Sequence, residues 1–386
     1  MATITTVVGM ASPTSATVAS VPPSSCNEGI AVLARGAGAT PIDLASGLAG
    51  PLYDTDGERV EGGAFSPDGR RLYLTLADNT LAEFDVATAE RLRTAALPAK
   101  GRDIEVSPDG RTLYISTPSE SFGVLFVDEA TLTVTSNLVL SAYGHDLNPG
   151  QMALDPARNR LYTLGSWGGT SWQVFAIDTA ARSVVAHTGG GTSQRAIAVT
   201  SDGRYVVLDH RFTYMQSQIR IIDTTTFSRV LTLDMGIEQN LPQIVTTDDP
   251  TLVYVADATT GLVNVINVET GVIIRTLPSV GIGFDGLAVT LDGSKVITSR
   301  SNFDSSDVEW QISDGASGTE IAHGLSGGDV GWLTEWANII LCPHSTPALP
   351  VTGTRSRGIF GGGFLLTVLG ILTIAARRLH SNSISS

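Results

Sequence analysis

The residues able to do chemistry recur at equivalent places in a repeating chain. Glu61, Arg102, Gly150, Arg195, Pro242 and Asp285 each enter the first strand of a unit, and Asp329 or Val330 takes that place in the last one. Two arginines facing acidic neighbours suit an anionic or polar ligand. They equally suit a structural network of ion pairs. A second group sits in the longer connections, residues 117–123, 141–150, 166–172, 209–217, 234–242 and 300–307. It comprises Phe122, Tyr143, His145, Trp167, Trp172, His210, Arg211, Phe212, Tyr214 and Phe303. Aromatic residues in connections make a contact surface, or they plug the ends of the spaces between units. Enzyme signatures are thin. There is no H-E-x-x-H and no cluster of Cys and His with ligand spacing. The glycines at 189–191 fall in a connection rather than before a helix, which argues against a phosphate cradle. Asp54-Thr55-Asp56-Gly57-Glu58 begins like a calcium loop but lacks the later bidentate acid. It reads as an acidic turn, and no metal or other cofactor is implied.

Composition narrows the partners. A charged fraction of 16% and a formal net charge of −14 leave no basic stripe for phosphates, which excludes nucleic acid. The 41 glycines, with abundant Thr, Val, Ser and Asp, suit many short strands joined by tight turns. The two cysteines can pair in an exported compartment. Residues 1–25 are rich in Ala, Thr, Ser, Val and Pro and carry no Lys or Arg. They read as the remnant of an export signal, with the true start further upstream, or as a disordered arm.

The elements that position these residues are repeats. Ser66-Pro67-Asp68-Gly69 and Ser107-Pro108-Asp109-Gly110 lie between strand-like runs, and degenerate copies follow at residues 152–163, 197–208, 244–255 and 287–298. With Asp68, Asp109, Ala157, Asp202, Asp249 and Asp292 as equivalents, the spacings are 41, 48, 45, 47 and 43. Such a period marks the blades of a β-propeller. Each unit reads as strand a, an SPDG-type turn, strand b, a variable loop, strand c, a short turn and strand d. Residues 330–341 match strands a and b of a seventh blade, while residues 29–34 and 40–45 match strands c and d. The predicted fold is an all-β, seven-bladed propeller over residues 26–342, closed by one blade drawn from both termini. Cys342 ends strand b and Cys26 precedes strand c, so a disulfide between them replaces the missing loop. Unrelated free thiols are the alternative. In the chain-entropy model a loop of that size is worth roughly 5 kcal/mol.

Val253-Tyr254-Val255-Ala256-Asp257, Val263-Asn264-Val265-Ile266-Asn267-Val268-Glu269-Thr270 and Ile274-Arg275-Thr276-Leu277 resemble the YVTN-type surface-layer propeller repeat. The resemblance covers nearly all of residues 28–342 and implies a fold and a surface habitat, not an activity.

The C-terminus carries an address. A short linker, residues 343–348, leads to Leu349-Pro350-Val351-Thr352-Gly353, then an apolar run over 359–376, then Arg377-Arg378. Residues 349–386 resemble the LPxTG sorting signal of Gram-positive surface proteins. An apolar run of this length just spans a bilayer core, and the arginines favour the cytoplasmic side. The resemblance implies a membrane helix that holds the chain only until sortase cuts after Thr352 and joins it to peptidoglycan. An ordinary C-terminal membrane anchor is the alternative.

Two functions with ligand chemistry are compatible with these residues. One is a wall-anchored extracellular binding or adhesion module for a glycan, protein or wall component, and the thin catalytic signature favours it. The other is an extracellular propeller enzyme of lactonase, hydrolase or quinone-linked dehydrogenase type, using Glu61, Arg102, His145, Arg195 and Asp285 at the channel mouth. A purely structural coat protein is a third.

Overall fold

A computed structural model describes residues 29–341 apart from 35–37, 120–121, 141–149, 168–170, 192–195, 212–215, 238–240, 242, 285, 302–307 and 327–337. These residues form seven four-stranded antiparallel sheets. Blades 2 to 7 are consecutive in sequence, with inner strands Val60–Phe65, Asp103–Val106, Met152–Asp155, Ile197–Val199, Ile244–Thr246 and Gly286–Val289. The inner strand of blade 1 is Asn338–Leu341, which touches the inner strands of both blade 7 and blade 2 and so closes the ring. The propeller and its closure from both termini are therefore as expected.

The division of the closing blade is not. Its sheet runs Asn338–Leu341, Ile30–Ala34, Gly38–Asp43 and Tyr53–Asp54 from the axis outward. The C-terminus supplies strand a alone, and the N-terminal segment supplies b, c and d. The register decides this, because Ala31 to Ala34 pair on one side with Leu341 to Asn338 and on the other with Ile42 to Ala39. The gap in the backbone is thus the a–b turn, not the b–c loop. Cys26, Cys342 and the whole of 343–386 lie outside the described residues. No helix among the described residues is long and apolar enough to cross a membrane.

The middle strands are apolar throughout because their two faces serve different seams. In Arg71–Leu76, Leu72, Leu74 and Leu76 face blade 1 while Tyr73 faces blade 3. Period-2 alternation thus puts both sets of side chains in core. Seven buried apolar clusters result, one in each seam. Outer strands such as Arg91–Ala96 cover one seam only and are largely exposed.

The SPDG turns are hydrogen-bonded devices. Ser66 Oγ donates to Asp68 at 2.6 Å and accepts from Arg71 N at 3.0 Å, while Gly69 takes φ +68°. Ser107, Thr200 and Thr290 repeat the arrangement. At every c–d turn an Asp or Asn side chain accepts from backbone N–H groups two or three residues on. These are Asp43, Asp85, Asp128, Asp178, Asp223, Asn267 and Asp314. Four residues after each lies a left-handed position: Gly47, Ala89, Leu132, Arg182, Phe227, Gly271 and Gly318. It always meets the preceding blade. Leu132 is buried there, Arg182 lies over Phe126 at 5.3 Å, and Phe227 stacks on Tyr162 at 6.5 Å. Where the residue is glycine the backbone itself comes close. A Cβ on Gly47, Gly271 or Gly318 would lie 2.5–2.7 Å from Ala322, Leu231 or Pro278.

Candidate ligand site in the central channel

The inner strand of blade 3 reads Asp103-Ile104-Glu105-Val106. Ile104 and Val106 enter the buried seam with blade 2, so the alternation turns Asp103 and Glu105 to the opposite face, toward blade 4. Both line a cavity of about 450 Å³ that is walled by six blades and reaches Pro67 on the SPDG face.

Asp103 is tightly held. Its carboxylate accepts from Met152 N at 2.7 Å, in the next blade, and from Ile104 N at 3.0 Å, while its own N–H donates to Ser116 Oγ at 3.1 Å. Gln243 plays the same part between blades 6 and 7, its Oε1 accepting from Leu287 N at 2.6 Å. These N–H donors favour the ionised form of Asp103, but burial outweighs them and pushes its pKa up to about 6. Glu105 has no hydrogen-bond donor among the described residues. Burial, reinforced by the Asp103 charge, pushes it up to about 8. At neutral pH the wall therefore carries one ionised and one protonated carboxyl two residues apart. That spacing on a strand corresponds to about 6–7 Å.

The expected ring of mouth residues is only partly assembled. Glu61 lies beside Arg59 and accepts an ion pair from Lys100 at 2.9 Å, Arg102 is exposed, and Gly150 is half-buried. Arg195, Pro242, Asp285, Asp329 and Val330 lie outside the described residues, as do His145, Tyr143, Phe212, Tyr214 and Phe303. The aromatic loop surface needs correction where it is described. Trp167 pairs with Ser171 and Ser166 with Trp172, so this segment is a hairpin tip and both tryptophans are strand residues, as is Phe122. His210 is fully buried within the strand Tyr205–Arg211, its pKa pushed down to about 4 by burial and by Arg220 and Arg229. It cannot belong to a contact surface. The glycines 189–191 end an outer strand instead of occupying a connection. The acidic turn is satisfied locally: Asp54 accepts from Asp56 N at 2.8 Å, and Asp56 pairs with Arg91 at 2.5 Å.

The fold and site define a seven-bladed β-propeller with an acid-lined axial cavity. No family model matches the chain, and no curated protein matches it. Solved structures do. Hydrazine synthase of Kuenenia stuttgartiensis aligns with TM-score 0.60 at 15% identity, over 76% of this chain and 90% of that one. The dihydro-heme d1 dehydrogenase NirN, in complex with DHE, aligns with TM-score 0.56 at 14% identity, over 86% of this chain and 78% of that one. At these identities the likeness is one of fold.

Proposed function

We propose that this protein is an extracellular propeller enzyme of hydrolase type that acts on a small molecule in its central channel. One observation carries the reading: two carboxyl groups on one channel wall have their pKa values pushed apart to about 6 and about 8. Such a split assigns a base and an acid at neutral pH. Asp103, ionised and fixed by two N–H donors, takes a proton from water, and Glu105 gives its proton to the leaving oxygen. A pure adhesion role provides no reason to set two half-buried acids on one channel wall, away from the outer surface. A panel of lactones, esters and glycosides assayed against pH tests the reading. Activity should peak between about pH 6 and 8, and Asp103→Asn should lower kcat by about 10²–10⁴-fold. Turnover that survives both Asp103→Asn and Glu105→Gln would place the chemistry elsewhere.

The address belongs to the same proposal. The order LPVTG, apolar run and Arg-Arg supports attachment to the cell wall of a Gram-positive bacterium through Thr352. The linker spans at most about 20 Å, which would hold the channel close to the wall, where diffusing small molecules pass. In a sortase-bearing host, Thr352→Ala protein should leave the covalent wall fraction and collect in membrane or medium. Wall-linked Thr352→Ala protein would refute sorting.

We also infer a Cys26–Cys342 bridge. Leu341 pairs with Ala31, so the two cysteines flank the strands that the ring closure joins. Non-reducing peptide mapping of exported protein should recover the linked pair, and reduction should cost up to about 5 kcal/mol. Recovery of both as free thiols would leave the closure to hydrogen bonds and packing alone.

A further inference from the structure

Several buried acids elsewhere in this protein have cations beside them. Glu83 is flanked by Arg71 and Arg93, Asp155 is paired with Arg158 at 3.0 Å, and Glu61 with Lys100 at 2.9 Å. The channel departs from that pattern. Asp103 and Glu105 face a cavity whose lining contains no Lys, Arg or His among the described residues. Two backbone N–H groups serve Asp103, and Glu105 has no donor among the described residues. Both are half-buried, and a carboxylate drawn partly out of water without a counter-charge is destabilised. Ala64 and Val245 add hydrocarbon to a lining that also holds Gln151, and Gln243 has its carbonyl already engaged by Leu287.

We infer that the channel ligand is a small organic cation, an amine, whose nitrogen supplies the missing counter-charge at Asp103. The inference rests on the reading of the channel as the functional site and specifies the substrate class. A carboxylate or phosphate ligand would set like charge against Asp103 with no described cation to offset it. A bare metal ion would find two carboxyl groups and no third acid, His or Cys, since no cluster of three or more such side chains occurs among the described residues. An amine supplies the charge that the described lining lacks.

Titration calorimetry on the purified full-length protein in mild detergent tests this with benzylammonium, benzyl alcohol, benzoate and calcium chloride at pH 7.5. Benzylammonium should bind at least about tenfold more tightly than benzyl alcohol, and benzoate and calcium should give no binding heat. Repetition in buffers of different ionisation enthalpy should show no proton release, because Glu105 keeps the proton that the leaving oxygen takes. Asp103→Asn, checked for a native circular dichroism spectrum, should reduce the amine preference to about threefold or less. If that variant does not fold, Glu105→Gln decides. It should keep the preference, because Asp103 carries the charge that the amine meets. Equal or tighter binding of benzyl alcohol, benzoate or calcium overturns the inference, as does an amine preference that survives in folded Asp103→Asn protein. Amine-selective binding without turnover of amine-bearing esters or amides would refute the enzyme and leave the ligand class standing. Turnover of neutral substrates with no amine preference would do the reverse.

Discussion

Glu105→Gln is expected to make this protein more stable at pH 9 by roughly 3–5 kcal/mol while changing little at pH 5. The argument is one of proton linkage. Glu105 has an ordinary carboxylate pKa near 4.5 when the chain is unfolded and one of about 8 in the channel, raised first by burial and then by the Asp103 charge. The folded protein therefore holds the proton more tightly. Its advantage is complete below pH 4.5 and is lost as pH rises through 8. Glutamine resembles the protonated form and has nothing to lose. Asp103 adds a decline of the same sign at lower pH, between 3.8 and about 6, which the variant retains. Other groups work the opposite way. His210, with a folded pKa of about 4 against an ordinary 6.5, withdraws stability as pH falls through that interval. Asp178, Asp223 and Asp314, held below the usual carboxylate range by N–H groups of their own turns, withdraw it at still lower pH. Urea midpoints for both proteins at pH 5, 7 and 9 separate these contributions. If wild type and Glu105→Gln lose stability in parallel between pH 5 and 9, Glu105 is not protonated in the channel.

The parts of the fold legible in the sequence are those that require particular residue types. A turn with φ near +68° at Gly69, a hydroxyl at Ser66 and a carboxylate at Asp68 leaves a visible string, and its recurrence gives the blade count. The make-up of the closing blade was not legible. Asn338–Leu341 is as apolar as a middle strand, and Tyr53–Asp54 has two residues and no periodicity to read. Only cross-strand register distinguishes an inner strand from its neighbour. The candidate site was hidden for a related reason. Asp103-Ile104-Glu105-Val106 alternates polar and apolar as any strand with one wet face does. It becomes a channel wall only because seven inner strands close into a ring, a long-range property that no local pattern contains. The aligned mouth residues stopped one position short of Asp103.

The second large effect lies on the neighbouring inner strand. Gly62→Ala should cost about 2–3 kcal/mol and should weaken use of the channel far more than that loss of stability implies. A Cβ at this position would lie 2.5 Å from the Arg102 carbonyl oxygen and 3.0 Å from Asp103 Cα. Both are backbone atoms, so no side-chain rotation relieves the contact. Nor is Gly62 free to retreat, because it pairs with Thr75, whose hydroxyl donates to the Gly62 carbonyl at 3.3 Å. The blade 3 strand must yield instead, taking with it the Asp103 carboxylate and its 2.7 Å bond from Met152 N. Displacement of a reacting group by about 1 Å can cost 10²-fold in rate. Gly189→Ala is the internal control, since its Cβ would come no closer than 3.8 Å, to the Gln173 side chain on an outer strand. That variant should stay within about 0.5 kcal/mol of wild type and keep full channel function. Urea denaturation and benzylammonium titration of both variants make the comparison. Equal stability and equal binding in the two would mean that the inner strands have slack, and that Asp103 is not held in place by their close approach.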